Sequence, residues 1–222
     1  MRIHSIFRSI DGEVNCNGQG QWSTFVRLQG CNLKCIYCDT TYAQSKDAGT
    51  KTNVAEVFMA VKEMKCQKVT ITGGEPMMQA ADVFDLTRLL RENNHKVSIE
   101  TNGSFLPVGY GVECFIMDWK LSNSKMQHKM DEEHFTRLRP QDYVKFVIGP
   151  GVKTPPHNIF YEALGVMKVL KGKGCRATFA FSPDMQQMSP RVLYLWMESE
   201  MEENSLHDCV LNIQLHKVLQ VP

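Results

Sequence analysis

Short β-rich runs alternate with segments of helical periodicity along this chain, and that alternation narrows the folds open to it. Thr24–Leu28, Lys68–Thr72, Lys96–Glu100, Cys114–Met117, Tyr143–Ile148, Arg176–Phe181 and Val210–Gln214 read as strands. Between the first two, Val54, Val57, Phe58, Val61 and Met64 mark one helical face, and Asn53 with Glu56 has the spacing of a capping box. Val83–Leu90, Asn158–Leu170 and Arg191–Met201 read as further helices. Strands alternating with helices imply βα units and a mainly parallel sheet. The 222 residues fall short of the ~250 of a complete (β/α)8 barrel. The expected architecture is therefore α/β, an incomplete TIM-type barrel folded as one domain over residues 1–222, with a doubly wound open sheet as the alternative. Both gather chemistry at the C-terminal ends of their strands. The cysteine loop after Leu28, Gly73-Gly74-Glu75-Pro76, Glu100-Thr101-Asn102 and Asp118-Trp119-Lys120 all fall at such ends.

Lys plus Arg is 25 and Asp plus Glu 24, so the net charge of +1 gives no global attraction to nucleic acid or to an anionic membrane. Lys62, Lys65 and Lys68 read as scattered charges on a solvated face. No run approaches the ~20 apolar residues of a membrane span, and Arg2 and Arg8 interrupt any signal-peptide core. A reducing, cytoplasmic compartment is the expectation. Eight cysteines in that setting point to metal or redox chemistry rather than disulfides. Cys16, Cys66, Cys114, Cys175 and Cys209 are dispersed and read as small buried hydrophobes.

Cys31, Cys35 and Cys38 are different, because they place three thiolates within one loop. Thiolates favour zinc or iron–sulfur clusters. A structural zinc ion wants four protein ligands, and no second Cys-x-x-Cys pair completes such a set here. Zinc closed by a distant ligand and three unliganded thiols remain alternatives. Three ligands without a fourth also suit a [4Fe–4S] cube that keeps one iron open for S-adenosylmethionine, whose reductive cleavage yields a 5′-deoxyadenosyl radical.

The Cys-x3-Cys-x2-Cys loop, with Tyr37 before its last cysteine and Gly73-Gly74-Glu75-Pro76 following at a strand end, resembles the radical S-adenosylmethionine superfamily. A longer set of segments resembles one family within it, 7-carboxy-7-deazaguanine synthase. These are Phe25-Val26-Arg27-Leu28-Gln29-Gly30-Cys31, Cys38-Asp39-Thr40, Thr72 to Pro76, Glu100-Thr101-Asn102-Gly103 and the tail Gln214 to Pro222. The resemblance implies ring contraction of 6-carboxy-5,6,7,8-tetrahydropterin to 7-carboxy-7-deazaguanine with loss of ammonia, begun by radical abstraction at C6. It implies a [4Fe–4S] cluster on Cys31, Cys35 and Cys38, and Mg2+ on Thr40. Tyr37, Asp39, Gly74, Glu75, Glu100, Asp118, Trp119, Lys120 and Ser182 are then the residues around S-adenosylmethionine. Ile10, Asp11, Gly12, Glu13, Arg27, Thr72, Gln214, His216 and the Pro222 carboxylate are those around the pterin. It further implies an electron donor such as a flavodoxin-like protein and a homodimer. No acid–base pair is needed to start a radical reaction, so no side chain is assigned as catalytic.

Each assignment has a plainer rival. Arg27 alternates with Val26 and Leu28 and reads equally as an outward strand residue. Glu13 reads as a solvated loop acid, Glu100 as a partner for a lysine, and Trp119 as core filling. The chain also departs from the family at Asp11-Gly12-Glu13-Val14, where Gln-Gly-Glu-Gly is common, and at Asp118-Trp119-Lys120, where Ser-Pro-Lys is common. Two other functions share the cysteine loop: an activase that makes a glycyl radical on a partner enzyme, and a non-enzymatic zinc or redox module.

Overall fold

The computed structural model describes residues 1–222 and holds a single nine-stranded sheet. Its strands are β1 (Arg2–Ile10), β2 (Trp22–Leu28), β3 (Thr50–Lys51), β4 (Lys68–Gly73), β5 (Lys96–Thr101), β6 (Cys114–Trp119), β7 (Tyr143–Ile148), β8 (Thr178–Pro183) and β9 (Val210–Leu211). They lie in the order β3-β1-β2-β4-β5-β6-β7-β8-β9. From β2 onward every pairing is parallel, while β1 pairs antiparallel with β2 and β3. β3 and β9 lie at the two edges and do not pair with each other, so the structure is the incomplete barrel expected.

Crossovers are made by α1 (Val54–Glu63), α2 (Ala80–Glu92), α3 (Glu132–Thr136), α4 (Pro156–Gly172) and α5 (Pro190–Ser199), and α6 (Leu215–Leu219) lies in the tail. The capping box at α1 is real: Glu56 N donates to Asn53 Oδ1 at 2.9 Å and Asn53 N to Glu56 Oε2 at 3.2 Å. Two of the four orphan N–H groups at that helix start are thereby satisfied.

The two-residue period of the strands sorts side chains into two layers. Val26 and Leu28, Val69 and Ile71, Val97 and Ile99, Val144 and Phe146 belong to the main core, packed with helical Val57, Leu86, Phe160 and Leu164. The alternate positions face the barrel interior. There Cys114, Ile116 and Ala180 pack with Val14 as a small apolar plug. Toward the strand ends the same face carries Arg27, Thr72, Glu100, Asp118, Lys145 and Ser182.

The structure corrects expectations about both elements and single residues. β1 carried no recognised strand signal, yet it covers the open edge of β2 from Ile3↔Leu28 to Ile10↔Trp22. β9 ends at Leu211 rather than Gln214, because the chain then leaves the sheet and crosses the barrel mouth. Lys68 is buried rather than solvated, with its ammonium 2.9 Å from Asp11. Among the dispersed cysteines, Cys66, Cys114 and Cys175 are buried as expected, but Cys209 is only half-buried and Cys16 is exposed.

Candidate active site

The cysteine loop is anchored at its base by main-chain hydrogen bonds. Gly30 N donates to Ala43 O at 2.8 Å, Cys31 N to Gln44 O at 3.0 Å, and Glu75 N to Gly30 O at 2.8 Å. Gly73 and Gly74 press directly against that base. A Cβ on Gly73 (φ +131°) would meet Leu28 O at 2.3 Å, and one on Gly74 would meet Gly30 O at 2.1 Å. Side chains cannot enter such contacts, so the sequence needs glycine at both positions.

Cys31, Cys35 and Cys38 are unpaired thiols on the wall of one large cavity at the C-terminal mouth of the barrel. Burial pushes the Cys31 and Cys35 thiols up from their ordinary values. No three His, Cys, Asp or Glu side chains converge as ligands of one ion. A cubane does not require such convergence, because each thiolate meets a different iron. The donor set therefore suits a cluster.

Across the cavity runs a chain of alternating charge. Lys145 Nζ donates to Glu13 Oε2 and pairs with Asp118 Oδ1 at 3.1 Å, and Lys120 Nζ donates to Asp118 Oδ2 at 2.6 Å. Burial alone would raise the Glu13 and Asp118 carboxyls, but Lys145 for Glu13, and Lys120 with Lys145 for Asp118, pull both down. Lys120 also lies over the Tyr37 ring, 5.9 Å from its centroid. Glu100 is the exception. Burial, reinforced by Glu13, pushes its carboxyl up to about 8, while Thr72 Oγ1 donates to Oε2 at 2.7 Å.

The N-terminal loop and the tail complete the cavity together. Leu215 N donates to Gly12 O at 2.9 Å, and Gln19 Nε2 donates to both Gly12 O at 2.7 Å and Ile213 O at 2.5 Å. A Cβ on Gly12 would fall 2.4 Å from His216 Nδ1, so the tail closes onto a glycine. Gln214 Nε2 donates to Glu13 Oε1 at 2.6 Å, Ser9 Oγ to Pro222 O at 2.5 Å, and Lys217 pairs with Asp39 Oδ2 at 2.7 Å. Thr40 lies beside this pair, its hydroxyl donating to Asp39 Oδ1 at 3.0 Å. Burial lowers the His216 pKa and favours a neutral ring. Arg27 enters the cavity between the rings of Phe7 and Tyr42, donates to Tyr42 Oη, and keeps a buried Nε without a partner. Its neighbours Val26 and Leu28 face the helices, so the opposite face, read as outward, is the barrel lumen.

The cavity thus collects the three cysteines, Tyr37, Asp39, Thr40, Gly74, Glu100, Asp118, Lys120 and Ser182. From the pterin group it collects Ile10, Gly12, Glu13, Arg27, Thr72, Gln214, His216 and Pro222. Three assignments fall outside it. The Asp11 carboxylate points into the barrel, where it pairs with Lys68 and accepts from Asn15 Nδ2 and Thr70 Oγ1, each at 3.0 Å. Glu75 is buried beneath the glycine turn, accepting from Met77 N at 2.8 Å, Thr101 Oγ1 at 2.7 Å and Asn102 N at 2.7 Å. Trp119 packs on Phe135, with ring centroids 4.8 Å apart, and faces away from the cavity. Sequence reasoning missed Lys145, Asp184 and Lys217. Lys145 did leave a signal, a charge inside the apolar run Tyr143-Val144-Lys145-Phe146-Val147-Ile148.

A pH dependence follows from Glu100. Its folded-state pKa lies above the ordinary 4.5, so the folded protein holds a proton that the unfolded chain has released. The resulting penalty on folding grows as pH climbs from about 4.5 to 8 and levels off above that. Glu100→Gln is expected to gain stability relative to the parent protein across this window. Anaerobic chemical denaturation at pH 5, 6.5 and 8 checks it, and a constant difference between the two proteins would contradict it.

The Radical SAM superfamily profile matches residues 25–110, the span holding the cysteine loop, the glycine turn and Glu100. Fold, thiol trio and matched span together define a radical S-adenosylmethionine protein. A relative from Clostridium acetobutylicum named 7-carboxy-7-deazaguanine synthase is 32% identical over 225 residues, covering 97% of each chain. One of the same name from Methanospirillum hungatei is 33% identical, covering 100% of this chain and 86% of the relative. The chain belongs to the 7-carboxy-7-deazaguanine synthase family. The solved structure described as QueE from Escherichia coli shares the fold, with a TM-score of 0.72 at 21% identity over 96% of this chain and 93% of that one. No helix is long and apolar enough to cross a membrane.

Proposed function

We propose that the protein converts 6-carboxy-5,6,7,8-tetrahydropterin to 7-carboxy-7-deazaguanine with loss of ammonia, acting as one unit over residues 1–222. The observation that carries this reading is the tail. Gln214, His216 and Pro222 line the same cavity as the three cysteines. An activase would need that mouth free to admit a partner's glycine loop, and family membership sets aside a zinc or redox module.

Cys31, Cys35 and Cys38 would hold a [4Fe–4S] cluster, and Gly74, Tyr37, Asp39, Glu100, Asp118, Lys120 and Ser182 would surround S-adenosylmethionine. When bound, the two would supply the 5′-deoxyadenosyl radical that takes the C6 hydrogen. Every other contribution is one of placement. Arg27, with an unpartnered Nε, is suited to a carboxylate on the substrate. Glu13, anchored by Lys145 and Gln214, offers an acceptor to the pterin's N–H groups. The Thr40 hydroxyl, beside Asp39, is a hard oxygen suited to Mg2+. The tail excludes water from the mouth. A cytoplasmic setting, a flavodoxin-like electron donor and a homodimer complete the reading.

Anaerobic turnover with C6-deuterated pterin, S-adenosylmethionine, reductant and Mg2+ tests it. Deuterium should enter 5′-deoxyadenosine or regenerated S-adenosylmethionine as the deazaguanine forms. Reductive cleavage of S-adenosylmethionine without either would reject the substrate. Deleting residues 215–222 is expected to raise KM for the pterin at least about tenfold, since one lost hydrogen bond to a charged group already costs about 1.5–3 kcal/mol. Uncoupled cleavage of S-adenosylmethionine should survive, and steady-state kinetics separate the two effects.

A further inference from the structure

Lys145 is the one residue of the charge chain that touches both sides of the cavity. It stands on β7, nearly buried, with Glu13 of the N-terminal loop on one side and Asp118 of β6 on the other. Other strong groups also face Glu13. Glu100 approaches from β5 and Asp118 from β6, while the tail brings neutral His216 and the donor Gln214, and Asn212 Nδ2 lies 3.4 Å from Oε2. Of these neighbours only Lys145 brings positive charge within contact. Without it Glu13 would be a buried carboxylate beside the Asp118 carboxylate, an arrangement that favours protonation.

We infer that Lys145 is a positioning residue, pinning the Glu13 carboxylate between its own ammonium and Gln214 so that the pterin's N–H edge meets a fixed, charged acceptor. Because Glu13 is a pterin ligand only under the reading above, the effect on substrate affinity rests on that reading, whereas the hold on Glu13 does not. The companion pairing to Asp118 ties the same lysine to the S-adenosylmethionine side.

Two measurements on the cluster-loaded protein test this. The first is an infrared titration of glutamate-labelled protein without pterin, carried out in a Glu100→Gln background so that the carboxyl that titrates near 8 is absent, with the further Glu13→Gln exchange subtracted to isolate the Glu13 carboxylate band. Glu13 should remain ionised from pH 6 to 8 in the parent protein and in Lys145→Arg. In Lys145→Met it should be protonated at pH 6 and ionise as pH rises. An ionised Glu13 throughout in Lys145→Met would overturn the assignment. The second is the Kd for 6-carboxytetrahydropterin over the same range. It should be flat for the parent protein and for Lys145→Arg, and should weaken about tenfold per pH unit below the new midpoint in Lys145→Met. A flat, unchanged Kd in Lys145→Met would also overturn the role. If the parent protein binds no pterin at any pH, the substrate reading fails, and the infrared titration alone decides what Lys145 does. Should Lys145→Met not fold, Lys145→Gln removes the same charge while keeping a donor toward Glu13.

Discussion

Cys35→Ala is expected to abolish turnover and to leave a protein that cannot retain a full complement of iron and sulfide after anaerobic reconstitution. Cys31, Cys35 and Cys38 are unpaired, share one cavity wall and have no neighbouring cysteine in reserve. On a cube held by these three sulfurs, removal of one would leave one iron without a protein ligand, and no His, Asp or Glu forms a substitute group with the other two. Burial holds the Cys31 and Cys35 thiols above their usual range, so both must give up protons as iron arrives. Reconstitution should therefore be favoured as pH rises. Iron and sulfide analysis with the visible absorbance of the product checks the outcome. Cys66→Ala, at a buried thiol remote from the cavity, should assemble normally. Full iron and sulfide in Cys35→Ala would remove the basis for a three-thiolate cluster.

Glu75→Ala is expected to destabilise the fold by about 3–5 kcal/mol. The side chain is fully buried and accepts from Met77 N, Thr101 Oγ1 and Asn102 N, so its loss orphans three donors at about 1–3 kcal/mol each. Glu75→Gln should lie between, because its amide can satisfy some of these donors while turning its own N–H groups against another. The order parent, Gln, Ala in denaturation midpoints is the diagnostic result. Were Glu75 a cofactor ligand only, both variants would keep the parent's stability and lose affinity for S-adenosylmethionine alone. These hydrogen bonds tie the glycine turn to the end of β5, so the same residue fixes where Gly74 meets the cavity.

Much of the fold was legible because its signals are local. The Asn53–Glu56 box, the apolar face of α1 and the β-branched runs of β4 and β5 depend on nearest neighbours and on burial of one side. β1 was not, because its residues alternate weakly and its stabilising partner, β2, starts beyond an irregular stretch. The site was legible where a motif fixed it and less so where only position argued. Asp11 sits between Ile10 and Gly12, which border the cavity, yet its carboxylate turns deeper into the barrel because Lys68, Asn15 and Thr70 satisfy it there, partners distant in sequence that no local motif announces. Trp119 lies elsewhere for a different reason, because it follows Asp118 in β6 and strand alternation turns it to the other face. Lys145 escaped because it belongs to no short motif, although a lone charge in an otherwise apolar strand must find a partner.

The line Glu13–Lys145–Asp118–Lys120 has a consequence for how this protein can drift over generations. Loss of the charge at Lys145 or at Asp118 strands Glu13 or Lys120 away from water, and breaking a buried pair costs about 3–5 kcal/mol, much of an ordinary protein's margin. Lineages should therefore exchange these positions two at a time or not at all, so that ancestry constrains them jointly even where no single one of them touches the reacting atoms.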